Sequence, residues 1–234
     1  MSTALTQLPL AFYLKEGVTF DNFYVARNLE IVEKLKQTAI GHGERMIYLC
    51  GSCNQGISHL LKASCHDAQQ HHLSSVYLPL RELYKSHTPD ILTGLESCAL
   101  VCIDDLHVIA GCREWEEAIF HLYNRIHEKA GSLIVSGRDL PKMIQLQLAD
   151  LVSRLSWGIV FQLHALTDEE KLMVLTQSAE RRGIHLSEEV GQYVMRHCPR
   201  HMGTLLAALD ALDKASLAAQ RRLTIPFVKE VLQM

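Results

Sequence analysis

The chain has 234 residues, 48% hydrophobic and 21% charged, with a formal net charge of −3. That length suits one large domain or a medium domain with a small companion, and the composition excludes a disordered chain. No apolar run approaches a membrane span, no charged-then-apolar leader opens the chain, and a slightly acidic balance does not advertise direct nucleic-acid binding, which usually needs a basic face.

Residues 1–17 read as a tail. In "NLEIVEKLKQTA", Leu29, Val32 and Leu35 stand at helical spacing, and Gly41 and Gly43 stop the helix. "RMIYLC" is a short buried strand, "ISHLLKASCHDAQQ" a helix and "SVYLPL" a further strand. "ALVCIDDL" is an apolar strand ending in two acids. "EWEEAIFHLYNRIHEK" puts Trp115, Ile119, Leu122, Tyr123 and Ile126 on one helical face, and "GSLIVSG" is another buried strand. Apolar strands alternating with helices predict an α/β domain on a parallel sheet, Rossmann-like in layout.

After Leu163 only helices are visible. "LTDEEK" has Thr167 as N-cap and Glu170 three residues on, a capping box. Helices are expected over Asp168–Arg182, Ser187–Cys198, Arg200–Ala219 and Ile225–Gln233, with Ser187 and Thr224 as caps and Gly183 as a stop. The expected layout is a tail over 1–17, an α/β core over 18–165 and a helical lid over 166–234. The seven cysteines form no disulfide-like framework, which fits a reducing cytoplasm.

"LCGSCNQGISHLL" can be framed in two ways. Cys50 and Cys53 make a C-x-x-C between a strand and a helix, as in a thiol oxidoreductase. One residue later, Gly51 to Ser58 make G-x-x-x-x-G-x-S, a phosphate loop with Ile57 in the place of lysine. In such a loop, consecutive backbone N–H groups curl around phosphate oxygens at a helix N-terminus. Gly51 and Gly56 allow the turn, Asn54 tolerates left-handed geometry, and Ser58 offers a hydroxyl to Mg²⁺. The bland alternative is a strand-to-helix turn that uses glycines. Asp104 and Asp105 end their strand as Walker B acids do, one to hold Mg²⁺ and the next to orient water. They also read as solvated acids opening a turn, but loop and strand in this order favour a nucleotide fold. Arg154 in "DLVSRLSWG" is either a surface salt-bridge partner or an arginine reaching a neighbouring subunit's γ-phosphate. Zinc on Cys50, Cys53, Cys65 and His66 or His71 would need an unusual spacing.

Together these residues resemble the DnaA family of AAA+ proteins, the bacterial replication initiators and their short regulatory relatives. "TFDNFYVARN" is similar to the start of the ATPase domain, "GSCNQGISHLL" to its Walker A and "LVCIDDLHVIAG" to its Walker B. "EEAIFHLYNRI" is similar to the following helix, "LVSRL" to the arginine-finger motif, and "RRGIHLSEEVGQYV" and "LTIPFVKEVL" to lid segments. The resemblance covers essentially the whole chain, and its length leaves no room for the initiator's DNA-binding domain. The expectation is therefore a short member that switches DnaA off. It implies ADP or ATP with Mg²⁺ at Gly51, Asn54, Gly56, Ile57, Ser58, His59, Asp104 and Asp105. Arg200 would act as the lid arginine, and Ser58 and Asp104 would hold the metal. Arg154 would complete the site on DnaA in trans. With lysine missing, little intrinsic ATPase is expected. "QLPLAF" is similar to the peptide that docks on the replicative sliding clamp, with Gln7 as amide anchor and Leu8, Leu10 and Phe12 filling the groove. Alternatively, Leu10 and Phe12 simply cover the core. The implied partners are DnaA and the clamp, in the cytoplasm and without a membrane. Another clamp-binding adaptor remains an alternative, as does head-to-tail self-association.

Overall fold

The apolar runs become strands in the computed structural model, which describes residues 18–52 and 54–233. They are β1 (Met46–Cys50), β2 (Ser75–Pro79), β3 (Leu100–Asp104), β4 (Ser132–Gly137) and β5 (Ile159–Gln162). All pair in parallel, in the order β2-β3-β4-β1-β5. Every residue of β1, β3 and β4 is buried, as expected of parallel strands covered on both faces. Because all strands run the same way, their C-terminal ends share one edge. There Cys50 lies opposite Gly137, and Pro79 opposite Asp104. Open α/β sheets take their ligands beyond that edge.

Among the described residues, five α-helices accompany the sheet: α1 (Leu29–Ala39), α2 (Ile57–Gln70), α3 (Leu80–Ser86), α4 (Arg113–Glu128) and α5 (Ala149–Trp157). In α1 the buried stripe is Ile31, Val32, Leu35, Thr38 and Ala39, whereas Leu29, expected on that stripe, is 57% exposed. At 3.6 residues per turn it falls well off the line through Ile31 and Leu35. In α4 the expected face of Trp115, Ile119, Leu122, Tyr123 and Ile126 is buried.

Buried with that face is an acid, Glu116. Its carboxylate accepts the backbone N–H of Gly111 through Oε1, and those of Gln147 and Leu148 through Oε2, each at 2.8 Å. This clasp fixes the segment leading into α5. At the other end of α5, Gly158 lets the chain pass close to β1: a Cβ there would lie 2.3 Å from the Met46 carbonyl oxygen.

The remaining helices are α6 (Asp168–Glu180), α7 (Glu188–His197), α8 (Met202–Ala219) and α9 (Ile225–Leu232). The Thr167–Glu170 capping box is formed in both directions, and Ser187 accepts the Val190 N–H. Thr224 precedes α9 but makes no side-chain cap, contrary to expectation; Pro226 in the first turn already removes one N–H that a cap could serve. Gly183, with φ +72°, stops the chain beyond α6. Leu175, Val190, Leu205, Leu209, Leu212 and Phe227 form the core of this helical group.

The described residues fall into two compact units. One comprises residues 18–23, Asn28–Gly51 and Ile57–Leu163; the other comprises Tyr24–Arg27, Ser52–Gly56 and residues 164–233. Within the second, Arg27 Nη2 donates to the Ala165 carbonyl at 2.9 Å. Among the described residues, no helix is long and apolar enough to cross a membrane.

Candidate functional site

The chain leaves β1 at Cys50, passes Gly51 and enters α2 at Ile57. In the connecting loop, Asn54 (φ 67°) and Gly56 (φ 98°) are both left-handed, which asparagine tolerates and glycine adopts freely. Ile57 is half-buried at the first turn of α2 and brings no charge there; Ser58 beside it is exposed. The His59 side chain is engaged at the start of the fold. Its Nε2 lies 2.8 Å from the Thr19 carbonyl oxygen, and its ring packs on Phe23. Burial holds the imidazole below its ordinary pKa, so the neutral ring donates to that carbonyl. His59 thus ties the start of the fold to α2.

The two acids at the end of β3 part company. Asp104 is buried and surrounded by donors. Its Oδ2 accepts the Tyr77 hydroxyl at 2.6 Å, while its Oδ1 accepts the Ser136 hydroxyl and the Asp105 N–H, the latter at 3.1 Å. The Ser58 side chain neighbours the Tyr77 phenol. Burial first, and Asp104 beside it, push the Tyr77 phenol far above its ordinary pKa, so it remains a proton donor. Asp105, left-handed at φ 61°, turns to Arg81, whose Nε lies 2.8 Å from its carboxylate. His107 stands 4.0 Å from Asp105, too far for a hydrogen bond, and burial keeps its ring neutral.

A Mg²⁺ ion needs oxygen ligands at about 2.0–2.1 Å in near-octahedral array. The donor set here does not fit one. Asp104, which a cation would need, already accepts from Tyr77 and Ser136, and the second acid is paired with Arg81. Phosphate is a different matter. Left-handed Asn54 and Gly56, followed directly by the first turn of a 14-residue helix, suit a backbone cradle.

Arg154 lies in the last turn of α5, whose Leu151 and Leu155 are buried. Its guanidinium carbon sits 4.7 Å from the centroid of the Trp157 ring and 5.9 Å from that of Tyr123. Among the described residues no carboxylate pairs with it. Trp157 is 71% exposed, and the arginine is held by aromatic faces at the surface. Arg200 pairs with Asp168, in the first turn of α6 within the second unit.

Cys50 offers little to redox chemistry. It is buried, its Sγ donates to the Phe161 carbonyl at 3.4 Å, and burial raises its pKa away from the reactive thiolate. Cys53 lies outside the described residues, as do Gln7, Leu8, Leu10 and Phe12. Among the described residues, no three His, Cys, Asp or Glu side chains could hold a metal ion together. Sequence reading missed Tyr77, Ser136, Arg81 and Tyr123 as parts of these arrangements.

Strand order, phosphate-loop position, acids at the end of β3 and a following helical unit define an α/β AAA+ fold with a helical lid. The family model for the bacterial DnaA ATPase domain matches residues 14–162, and the model for the lid domain of Hda matches residues 168–232. The first spans more than half of the chain, which therefore belongs to the bacterial DnaA ATPase family, as a DnaA-like AAA+ protein with a lid similar to that of Hda.

Solved structures agree on the fold. Domain III of the Thermotoga maritima replication initiation protein DnaA is 20% identical, with a TM-score of 0.79, covering 94% of this chain and 98% of that one. AMPPCP-bound DnaA from Aquifex aeolicus is 19% identical, with a TM-score of 0.71, covering 87% and 67%. The Thermotoga maritima RuvB Holliday junction branch migration motor is 13% identical, with a TM-score of 0.69, covering 94% and 73%.

Proposed function

We propose that this chain is a negative regulator of replication initiation that stimulates hydrolysis of DnaA-bound ATP. The observation that carries the reading is Arg154: a cation without a carboxylate partner among the described residues, stacked on an exposed tryptophan and backed by Tyr123. A guanidinium held in this way is ready for transition-state charge on a phosphate supplied by another molecule. The chain's own site is poorly equipped for hydrolysis. Ile57 gives no charge to the β- and γ-phosphates, and Asp105, the acid expected to orient water, is paired with Arg81. A nucleotide here, ADP in particular, acts as a structural element.

The family membership supports DnaA as partner, in a head-to-tail pairing that presents Arg154 to DnaA's ATP. Gln7, Leu8, Leu10 and Phe12 are proposed to dock on the DNA-loaded sliding clamp in the cytoplasm and so bring the pair together. The test is DnaA-ATP hydrolysis on clamp-loaded DNA with wild type and Arg154→Ala. The variant is expected to retain clamp binding and to lose stimulation by about 10³-fold or more, the lower end of what such arginines contribute. Unchanged stimulation refutes the assignment.

A further inference from the structure

The cation place of an ordinary phosphate-loop site lies between the loop's hydroxyl residue and the acid of the facing strand. Here those groups are Ser58, at the start of α2, and Asp104, at the end of β3. The Tyr77 hydroxyl donates to Asp104 Oδ2 at 2.6 Å, and the Ser58 side chain neighbours the same phenol. The sheet register explains why. Tyr77 lies opposite Cys102 and Pro79 opposite Asp104, so Tyr77 and Asp104 project from one face of neighbouring strands on a diagonal pair. A phenol is long enough to span that diagonal.

The rest of the carboxylate is also taken. Ser136 on β4 donates to Oδ1, and the Asp105 N–H points to both Oδ1 and Ser136 Oγ, the latter at 2.9 Å. A buried carboxylate with three protein donors is stabilised without a counter-ion. A positive charge already stands close by: Lys62, one turn further along α2, places its ammonium 5.0 Å from the centroid of the Tyr77 ring. It repels a second cation and adds positive charge near the start of the helix where the usual lysine is missing.

We propose that this is a phosphate-loop site closed to divalent cations, in which the Tyr77 hydroxyl takes the metal's place on Asp104 and a nucleoside diphosphate is held without Mg²⁺. The proposal rests on the reading of the loop as a nucleotide cradle and specifies how that cradle is charged. It separates binding from hydrolysis, since a metal-free diphosphate keeps the loop ordered while no cation polarises a γ-phosphate.

The test uses the whole chain and a fluorescent ADP analogue, titrated in excess Mg²⁺ and again in EDTA, with Mn²⁺ as a paramagnetic probe. The expected result is an affinity no tighter in Mg²⁺ than in EDTA, and weaker where Mg²⁺ draws ADP into its own complex, with a free-Mn²⁺ signal that the protein does not lower beyond what ADP alone does. Tyr77→Phe, which removes one oxygen, is expected to open the place: Mn²⁺ is then taken up with ADP, and Mg²⁺ strengthens ADP binding by about tenfold or more. Wild-type binding that needs Mg²⁺ to that degree overturns the proposal, as does a folded Tyr77→Phe protein that gains no metal. Loss of ADP binding in both buffers removes the nucleotide reading beneath it, while hydrolysis on DnaA tests Arg154 independently.

Discussion

Glu116→Ala is expected to be among the most damaging single substitutions in the α/β unit. The wild-type carboxylate is fully buried and takes three backbone N–H groups at 2.8 Å. Hydrogen bonds to charged groups contribute about 1.5–3 kcal/mol each, and a buried donor left unpaired costs about 1–3 kcal/mol. The three are not independent, because Gln147 and Leu148 share Oε2 and their segment can recruit water once released. The net loss is therefore about 3–5 kcal/mol. For a chain of this size each kcal/mol moves the melting temperature by roughly 2–4 °C, so a fall on the order of 10 °C is expected. Glu116→Gln keeps one carbonyl oxygen but turns an N–H₂ toward donors, and should lose roughly half as much by the same reckoning. Thermal and urea unfolding followed by circular dichroism give the answer. Because Leu148 is the residue that leads into α5, the proposed stimulation of DnaA should weaken as well, even at temperatures where the variant is folded. A fall of less than about 2 °C for Glu116→Ala would mean that the clasp contributes under about 1 kcal/mol, which refutes the reasoning.

Two further outcomes are expected. His59 is held neutral by burial, below an unfolded value of about 6.5. Above about pH 6.5 neither state carries the proton; as pH falls through that value the unfolded chain takes it first, so stability declines until the folded pKa is also passed. His59→Gln should flatten this decline in urea midpoints between neutral and mildly acidic pH; an identical slope would assign it to other histidines. Gly158→Ala places a Cβ against the Met46 carbonyl, and with φ at −77° the backbone itself is not strained. The clash alone should cost about 1–3 kcal/mol, a range typical of overpacking. A neutral result in urea unfolding would mean that α5 and β1 separate easily.

The parts legible in the sequence are those with a strong local signature. β1, β3 and β4 are buried throughout and read as unbroken apolar runs, while Thr167 and Glu170 announce α6 through a reciprocal cap. α3 and α5 escape notice because seven and nine residues are too few to establish a periodic face. β5 escapes because it is an edge strand of four residues, three of them half-buried and one exposed. Of the candidate site, the loop and both acids can be found along the chain, but their partners cannot. Tyr77 meets Asp104, and Ser136 meets Asp104, only through the placement of β3 between β2 and β4. No local pattern states that order. The duty of His59 is hidden for a related reason: its carbonyl partner, Thr19, is 40 residues away.

The chain has two tryptophans, and they differ sharply in their surroundings. Trp115 is 3% exposed beneath Tyr84, whereas Trp157 is 71% exposed and faces the Arg154 guanidinium. The molecule therefore carries its own optical probe. A water-borne quencher such as iodide reaches Trp157 and leaves Trp115 dark to it, so quenching reports on the arginine's neighbourhood with no label attached. Whatever docks against that arginine will shade its neighbour, and the emission of one indole becomes a direct gauge of assembly.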